Sequence, residues 1–302
     1  MSSTASTSSP ALTHQFSHRL TPSISLHAFS SVRTSAPPPP ILPTQHIVLQ
    51  LPPDLDPIGR ARALTAEDRR LQLTPCRVEY DDDSGYGTIE FLTRRGRVTS
   101  LIGLPRPGGL GLEARVVGPA GGGFPVEVLS PTDGSSGRLV VAVAGGTGVA
   151  CFLRGLGVSP VCAEREEKKE ERGQGKWLKR RLLWSIRGDD FALVEFVLGR
   201  GLLRHSRLWG DIRIFVTSGE DSSSGLVANT GAAWREGKFR EVEEKFGGDL
   251  TLKYGRMGVD DLFREEEALE EKTVLFCGSS SLQWQVKMWA LSNKGTVHVT
   301  DR

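Results

Sequence analysis

Residues 139–156 read LVVAVAGGTGVACFLRGL, an apolar run of strand type that breaks into Gly145-Gly146-Thr147-Gly148 and resumes at helical spacing. No other stretch constrains the fold as strongly, because strand, tight turn and helix in quick succession open an α/β unit. Glycines at 145, 146 and 148 carry no Cβ, so a dinucleotide pyrophosphate can approach the backbone there. The N–H groups at the following helix start would face it along a favourable dipole. Taken alone, a GGTG turn is equally the tight turn of any α/β protein; the residues after it decide.

Strand and helix signals alternate through the rest of the C-terminal half. Residues 182–187 (LLWSIR) are apolar, and Asp189 or Asp190 would cap a helix whose Phe191, Val194, Leu198 and Leu202 fall at helical spacing. Residues 211–217 (DIRIFVT) alternate with period two, residues 250–254 (LTLKY) form a further short strand, and residues 257–269 read as a Glu-rich helix. Residues 273–277 (TVLFC) run into Gly278, Ser279 to Ser281 offer caps for a helix carrying Leu282, Val286 and Trp289, and residues 296–300 (TVHVT) make a last strand. Strands joined by helices of this length imply right-handed crossovers and a mostly parallel sheet covered on both faces. Ligands of such sheets bind beyond the carboxyl ends of the strands, where the glycine turn and Cys277-Gly278 both fall.

Five landmarks stand in order: GGTG after the first strand, LWSIR on the second, FVT on the third, Gly255-Arg256 after the fourth and Cys277-Gly278-Ser279 after the fifth. Together they resemble the nucleotide-binding half of the ferredoxin reductase family, flavoproteins that pass electrons between NAD(P)H and one-electron carriers. The resemblance spans residues 136–300. It implies an α+β, two-module fold: an antiparallel β-barrel of the FAD-binding ferredoxin-reductase type, then a parallel-sheet NAD(P)-binding domain. Residues 46–133 have that barrel character, since HIVLQLP, RVEYDDDSGYGTIEFLTRRG and GLEARVVG are short alternating segments parted by Gly, Pro and Asp, with Asp83-Ser84-Gly85 as a hairpin turn. The expected domains are therefore a Pro/Ser-rich targeting or disordered segment at 1–45, the FAD barrel at 46–135 and the NAD(P) domain at 136–302.

The resemblance also implies site residues. Gly96-Arg97-Val98-Thr99-Ser100 is similar to the segment whose backbone N–H groups and hydroxyl meet the flavin pyrophosphate, which marks Gly96, Val98, Thr99 and Ser100. Gly118-Pro119 with Gly121 to Phe124 is similar to the turn that ends the barrel. Thr74 and Pro75 fit the Arg-x-Tyr-Ser/Thr segment that supplies a cation, an aromatic ring and a hydroxyl to FAD. This chain departs from that segment by holding Leu71 and Leu73 where the Arg and Tyr belong, with Arg70 one residue out of step; in a strand, one residue inverts the face unless a bulge intervenes. On the nucleotide side the resemblance marks Gly145, Gly146, Thr147, Gly148, Gly278 and Ser279 for NADH or NADPH, and Cys277 beside the nicotinamide, where a small thiol leaves room for two stacked rings. The alternative for Cys277 is a buried strand-end cysteine. Glu220 and Asp221 after the third strand would repel an added ribose phosphate and favour NADH, whereas Arg187 and Arg256 suit NADPH.

Composition agrees with two modest cores: 302 residues, 38% hydrophobic, net charge +2. The charge run at 164–181 is mixed in sign and reads as a solvated helical insertion, not a nucleic-acid arm. Cys76, Cys151, Cys162 and Cys277 lack metal spacing and suggest reduced thiols in an intracellular compartment. The six histidines hold no ligand pair. The first 40 residues, rich in Ser and Thr with no acidic residue before Asp54, suit a mitochondrial presequence, the alternative being a tail on a cytoplasmic protein. No stretch is long and apolar enough to span a membrane as a helix. Three readings follow: an NAD(P)H-dependent flavin oxidoreductase serving a one-electron acceptor, a degenerate nucleotide-binding relative without flavin, and an unrelated α/β enzyme whose glycine turn binds another phosphate compound.

Overall fold

A computed structural model of the chain describes residues 10–31, 41, 44–56, 59, 64–79, 87–106, 111–121, 124, 138–154, 178–203, 209–217, 228–246, 250–263 and 271–299. The chain divides between Gly123 and Phe124 into two compact units.

The first unit is a seven-stranded sheet of β1 (Ala11–Arg19), β2 (Ile24–Ser31), β3 (His46–Gln50), β4 (Arg70–Leu73), β5 (Pro75–Glu79), β6 (Thr88–Arg94) and β7 (Glu113–Ala120). Its order is β4-β3-β7-β1-β2-β6-β5, and every neighbouring pair is antiparallel. Strands β4 and β5 are the two edges of that order, yet only Thr74 separates them in the chain. Consecutive Cα atoms lie about 3.8 Å apart, so the two edges meet and the sheet rolls into a barrel. Pro75, which cannot donate to a ladder, sits at that seam, where an edge strand tolerates it. Leu12, Phe29, Ile47, Leu49, Leu73, Ile89, Phe91, Ala114 and Val116 fill the core. A bulge in β1 between His14 and Phe16 sets His14 opposite Phe29 and Ser17 opposite His27, so a histidine and a serine three residues apart share a face. The Ser17 hydroxyl accordingly lies 2.8 Å from His14 Nε2 and 2.6 Å from His27 Nδ1. Burial, followed by the neighbouring His14, pushes the buried His27 down to about 4.

These strands overturn the reading of residues 1–45 as a segment outside the fold. Strands β1 and β2 lie in the middle of the sheet, and Leu12, Ile24, Leu26, Ala28 and Phe29 are at most 2% exposed. Strand β1 carries its polar residues at exposed or half-buried positions, whereas six of the eight residues of β2 are buried. The Asp83-Ser84-Gly85 turn lies outside the described residues, although β5 and β6 pair antiparallel on either side of it.

The second unit is a six-stranded parallel sheet of β8 (Arg138–Gly145), β9 (Leu178–Arg187), β10 (Asp211–Thr217), β11 (Leu250–Tyr254), β12 (Glu271–Cys277) and β13 (Thr296–Val299). Its order is β11-β10-β9-β8-β12-β13. Helices α1 (Ala150–Leu153), α2 (Ala192–Gly199), α3 (Ala228–Phe246), α4 (Val259–Leu262) and α5 (Ser280–Ser292) occur among the described residues. Strand β8 is buried throughout residues 139–144, as a parallel strand covered on both faces must be.

Local chemistry departs from expectation at four places. Neither Asp189 nor Asp190 caps α2: a 3₁₀ turn over Gly188–Asp190 leads into it, and Asp189 pairs with Arg187 at 3.3 Å. Leu202 lies past the end of α2, where Gly201 at φ +67° lets the Leu202 N–H reach Val197 O at 3.2 Å and closes the helix. The helix expected over 257–269 is described only as α4, with Phe263 already extended; residues 264–270 lie outside the described residues. The charge run at 164–181 is not wholly a helical insertion, because residues 178–181 belong to β9.

Candidate functional site

Reading the parallel sheet across its order, the sequence direction reverses between β8 and β12. At such a switch point the crossover helices leave to opposite faces and a crevice opens beyond the carboxyl ends of the two strands. Gly145 ends β8 and Gly146–Gly148 follow it, while Cys277 ends β12 and Gly278 and Ser279 follow it, so the structure brings seven sequence-predicted residues to one place.

Each glycine there has its own reason. Gly146 sits at φ +55°, a left-handed conformation that disfavours a side chain. A Cβ on Gly148 would run into the carbonyl oxygen of Cys277 and lie 2.8 Å from its carbonyl carbon. A Cβ on Gly145 would lie 3.2 Å from Gly278 Cα and 3.6 Å from Ser279 N. Two of the three glycines thus serve the close approach of the two strand ends, and the third serves the turn. Thr147 is half-buried within the 3₁₀ turn Gly146–Val149.

The helix expected to point its dipole at the phosphates is, as described, the single turn α1. A longer helix start adjoins the same turn: α5 runs for 13 residues from its cap Ser279, with no acidic residue in its first turn. Ser279 makes no side-chain cap bond; its hydroxyl lies 3.2 Å from that of Ser281, and residues 279–281 are exposed. The positive end of a macrodipole therefore stands beside Gly145.

Sequence reasoning passed over two residues here. Trp184 on β9 is fully buried and donates its indole N–H to Gly146 O at 3.0 Å, which holds the turn from below. The signal was a tryptophan in the strand next to β8, paired in register with Ala144. Cys151, in α1, lies with its Sγ 3.0 Å from Cys277 Sγ, both residues being 2% exposed. Phe152 of α1 stacks on Phe124, ring centroids 5.7 Å apart, and meets Trp209 edge-on at 6.0 Å, which anchors α1 from its other side. Glu220 and Asp221 lie outside the described residues; Arg187 and Arg256 are exposed.

In the barrel unit, the β3–β4 ladder is unbroken from Ile47–Leu73 to Gln50–Arg70. Leu71 and Leu73 consequently pack in the core with Ile47 and Leu49, while Arg70 and Gln72 are exposed on the other face. No bulge realigns Arg70. Thr74 Oγ1 lies 2.6 Å from His46 Nδ1, and Pro75 is buried. After β6, Gly96, Val98, Thr99 and Ser100 form a turn closed by Thr99, whose hydroxyl donates to Arg94 O at 2.8 Å and accepts from Gly96 N at 2.7 Å. The N–H of Ser100 donates to Gly96 O, and its hydroxyl donates to Arg97 O at 3.3 Å. Arg94, Arg95 and Arg97 are exposed around that turn. Asp68, just before β4, is held below the usual carboxylate range by the N–H and hydroxyl of Thr65, with a smaller pull from Arg97. Leu71 and Leu73, at the positions expected to supply the phosphate cation and to meet the flavin ring, both pack toward the core, whereas the exposed arginines beside the 96–100 turn suit a pyrophosphate. The residues present thus fit the phosphate end of FAD.

The sequence matches no family model and no curated protein. The fold, in contrast, matches solved structures. The chain is similar to the flavohemoglobin of Malassezia yamatoensis with bound FAD and heme (14% identity, TM-score 0.53), covering 96% of this chain and 60% of that one. It is similar to the CS-b5R domains of human Ncb5or in the NAD+ form (12% identity, TM-score 0.55, 96% and 69% covered). It is also similar to the flavohem-like FAD/NAD-binding domain of nitric oxide dioxygenase from Vibrio cholerae (13% identity, TM-score 0.51), covering 97% of this chain and 98% of that domain.

Proposed function

We propose that this chain, which has the two-module fold of the ferredoxin reductase-like FAD/NAD-binding domains, is an NAD(P)H-dependent flavin oxidoreductase delivering electrons to a one-electron acceptor. The observation that carries the reading is the glycine turn at the β8/β12 switch point, packed against Cys277 and adjoining the start of α5. Backbone N–H groups of the turn and the α5 dipole would bind the dinucleotide phosphates. Cys277 would stand beside the nicotinamide, and Ser279 would offer its hydroxyl to a polar group of the ligand. The 96–100 turn with its arginines would hold FAD by its phosphates, and Thr74, followed by Pro75, would set its hydroxyl near the reactive nitrogen of the flavin ring. Bound FAD would supply the chemistry of accepting a hydride and releasing electrons singly. The carboxylates of Glu220 and Asp221 favour NADH over NADPH.

A second reading has a specific observation behind it. Leu71 and Leu73 lie in the barrel core, so no aromatic side chain from β4 reaches a flavin ring, and a dinucleotide-binding protein without flavin would look the same. An absorbance spectrum of the full chain, with FAD and then NADH added anaerobically, separates the two. Flavin bands that bleach with NADH are expected of the reductase; NADH affinity without retained FAD would establish the second reading. Neither dinucleotide binding would sink both.

A further inference from the structure

We propose that Cys151 and Cys277 form an oxidation site, a dithiol that a small peroxide converts to a disulfide, and that the disulfide weakens dinucleotide binding at the adjoining glycine turn. The effect on binding rests on the dinucleotide reading above; the oxidation itself does not.

The two cysteines are 126 residues apart in the chain and come from different elements, the single-turn helix α1 and the end of β12. Folding nevertheless sets their sulfurs 3.0 Å apart. Closing that gap to a disulfide length of about 2.05 Å needs a movement of roughly 1 Å. Solvent is near despite the burial, since Gly278 is half-buried and Ser279 exposed directly after Cys277. The third cysteine among the described residues, Cys76, lies in the other unit with its thiol directed at Glu90 O at 3.3 Å.

The chemistry balances with peroxide as oxidant. One sulfur attacks a peroxide oxygen, the O–O bond breaks, and a sulfenic acid and water result. The second sulfur then attacks the first, the S–S bond forms, the S–O bond breaks, and a second water leaves. The two thiols lose two electrons and two protons, and a dithiol reductant reverses the reaction.

The consequence for binding follows from the packing. Even one methyl group on Gly148 would run into the Cys277 carbonyl group, and one on Gly145 would lie 3.2 Å from Gly278 Cα, so there is little space between the turn and the strand end. Drawing α1 onto the end of β12 leaves the turn no slack, so its N–H groups shift by a distance comparable to the closure. An N–H moved by about 1 Å passes out of hydrogen-bond range of a phosphate oxygen, and losing one bond to a charged group costs a factor of about ten or more in affinity.

The test uses the full chain, reduced and then treated with hydrogen peroxide, blocked with N-ethylmaleimide and digested. A peptide joining Cys151 to Cys277 is expected, with an intact mass lower by two hydrogen atoms, reversed by dithiothreitol. Cys151→Ala and Cys277→Ala should each abolish the link, whereas Cys162→Ser should retain it; circular dichroism checks that each variant is folded. NADH affinity is then measured on both redox forms, with a loss of about tenfold or more expected on oxidation. Absence of the linked peptide overturns the oxidation site. A linked peptide with unchanged or tighter NADH binding overturns the coupling. A reduced chain that binds no NADH counts against the dinucleotide reading, while the peptide result still decides the oxidation site.

Discussion

Replacing Gly148 with Ala asks one methyl group to occupy space held by backbone. The added Cβ would meet the Cys277 carbonyl oxygen and lie 2.8 Å from its carbon and 3.3 Å from its sulfur. A flexible side chain could swing away, but Cys277 is locked in register with Ala144 across the β8–β12 ladder. Relief therefore requires the strand end to move. Overpacking of a tight core costs about 1–3 kcal/mol, and a backbone obstacle puts this substitution in the upper part of that range. Against a urea slope of about 1–3 kcal/mol/M the midpoint should fall by roughly 1 M. All six tryptophans lie between Phe124 and Thr300, so tryptophan fluorescence reports on the second unit alone. Gly237→Ala is the matched control: it lies within α3 with nothing within 4 Å of the added Cβ, and should stabilise by about 0.5–1 kcal/mol. NADH affinity should fall with Gly148→Ala and hold with Gly237→Ala. A Gly148→Ala protein with an unshifted midpoint and native NADH affinity would refute the packing argument.

Trp184→Phe removes the donor to Gly146 O while keeping most of the buried ring, so unfolding stability should drop by about 0.5–1.5 kcal/mol and NADH affinity should weaken with it; equal affinity would mean that the indole does not set the turn. Deleting residues 1–40 removes β1 and β2 from the centre of the first sheet, and should leave that unit unable to fold while the tryptophan transition of the second survives; proteolytic resistance of the truncated barrel would contradict the topology. His27, ordinarily titrating near 6.5, is held near 4 by burial. Its neutral form is the folded one, so stability is full above about pH 6.5 and is lost as pH falls toward 4, by at most about 1.4 kcal/mol per pH unit. Far-UV circular dichroism melts of the chain from pH 7 to 4 check this, and a profile that His27→Gln leaves unchanged would remove His27 as the cause.

Which parts of the molecule were legible depended on the range of the forces involved. Strands β10 and β11 match the expected limits, because an apolar or alternating run bounded by polar turns records its own burial. Strands β1 and β2 were missed for the converse reason: ALTHQFSHR and ISLHAFSS are polar along much of their length, and their burial is provided by partners far along the chain, β7 and β6. Likewise, Leu71 and Leu73 were recognised as departures from a flavin segment, but their direction into the core depends on the register with β3.

At the site, a short local pattern announced a turn, and the glycine spacing alone located it at a strand end. Why each glycine is required was decided elsewhere, by the approach of Cys277 and Gly278 from a strand more than a hundred residues away. Trp184 beneath the turn and Cys151 beside Cys277 belong to the same category. The sequence by itself determined the order of the six strands in the second half and the position of the glycine turn, because these are properties of neighbouring residues. The meeting of the two sheet edges through Thr74, the contact of two sulfurs and the facing of every side chain in β4 were decided only by tertiary structure, since each depends on pairing or packing with segments far along the chain.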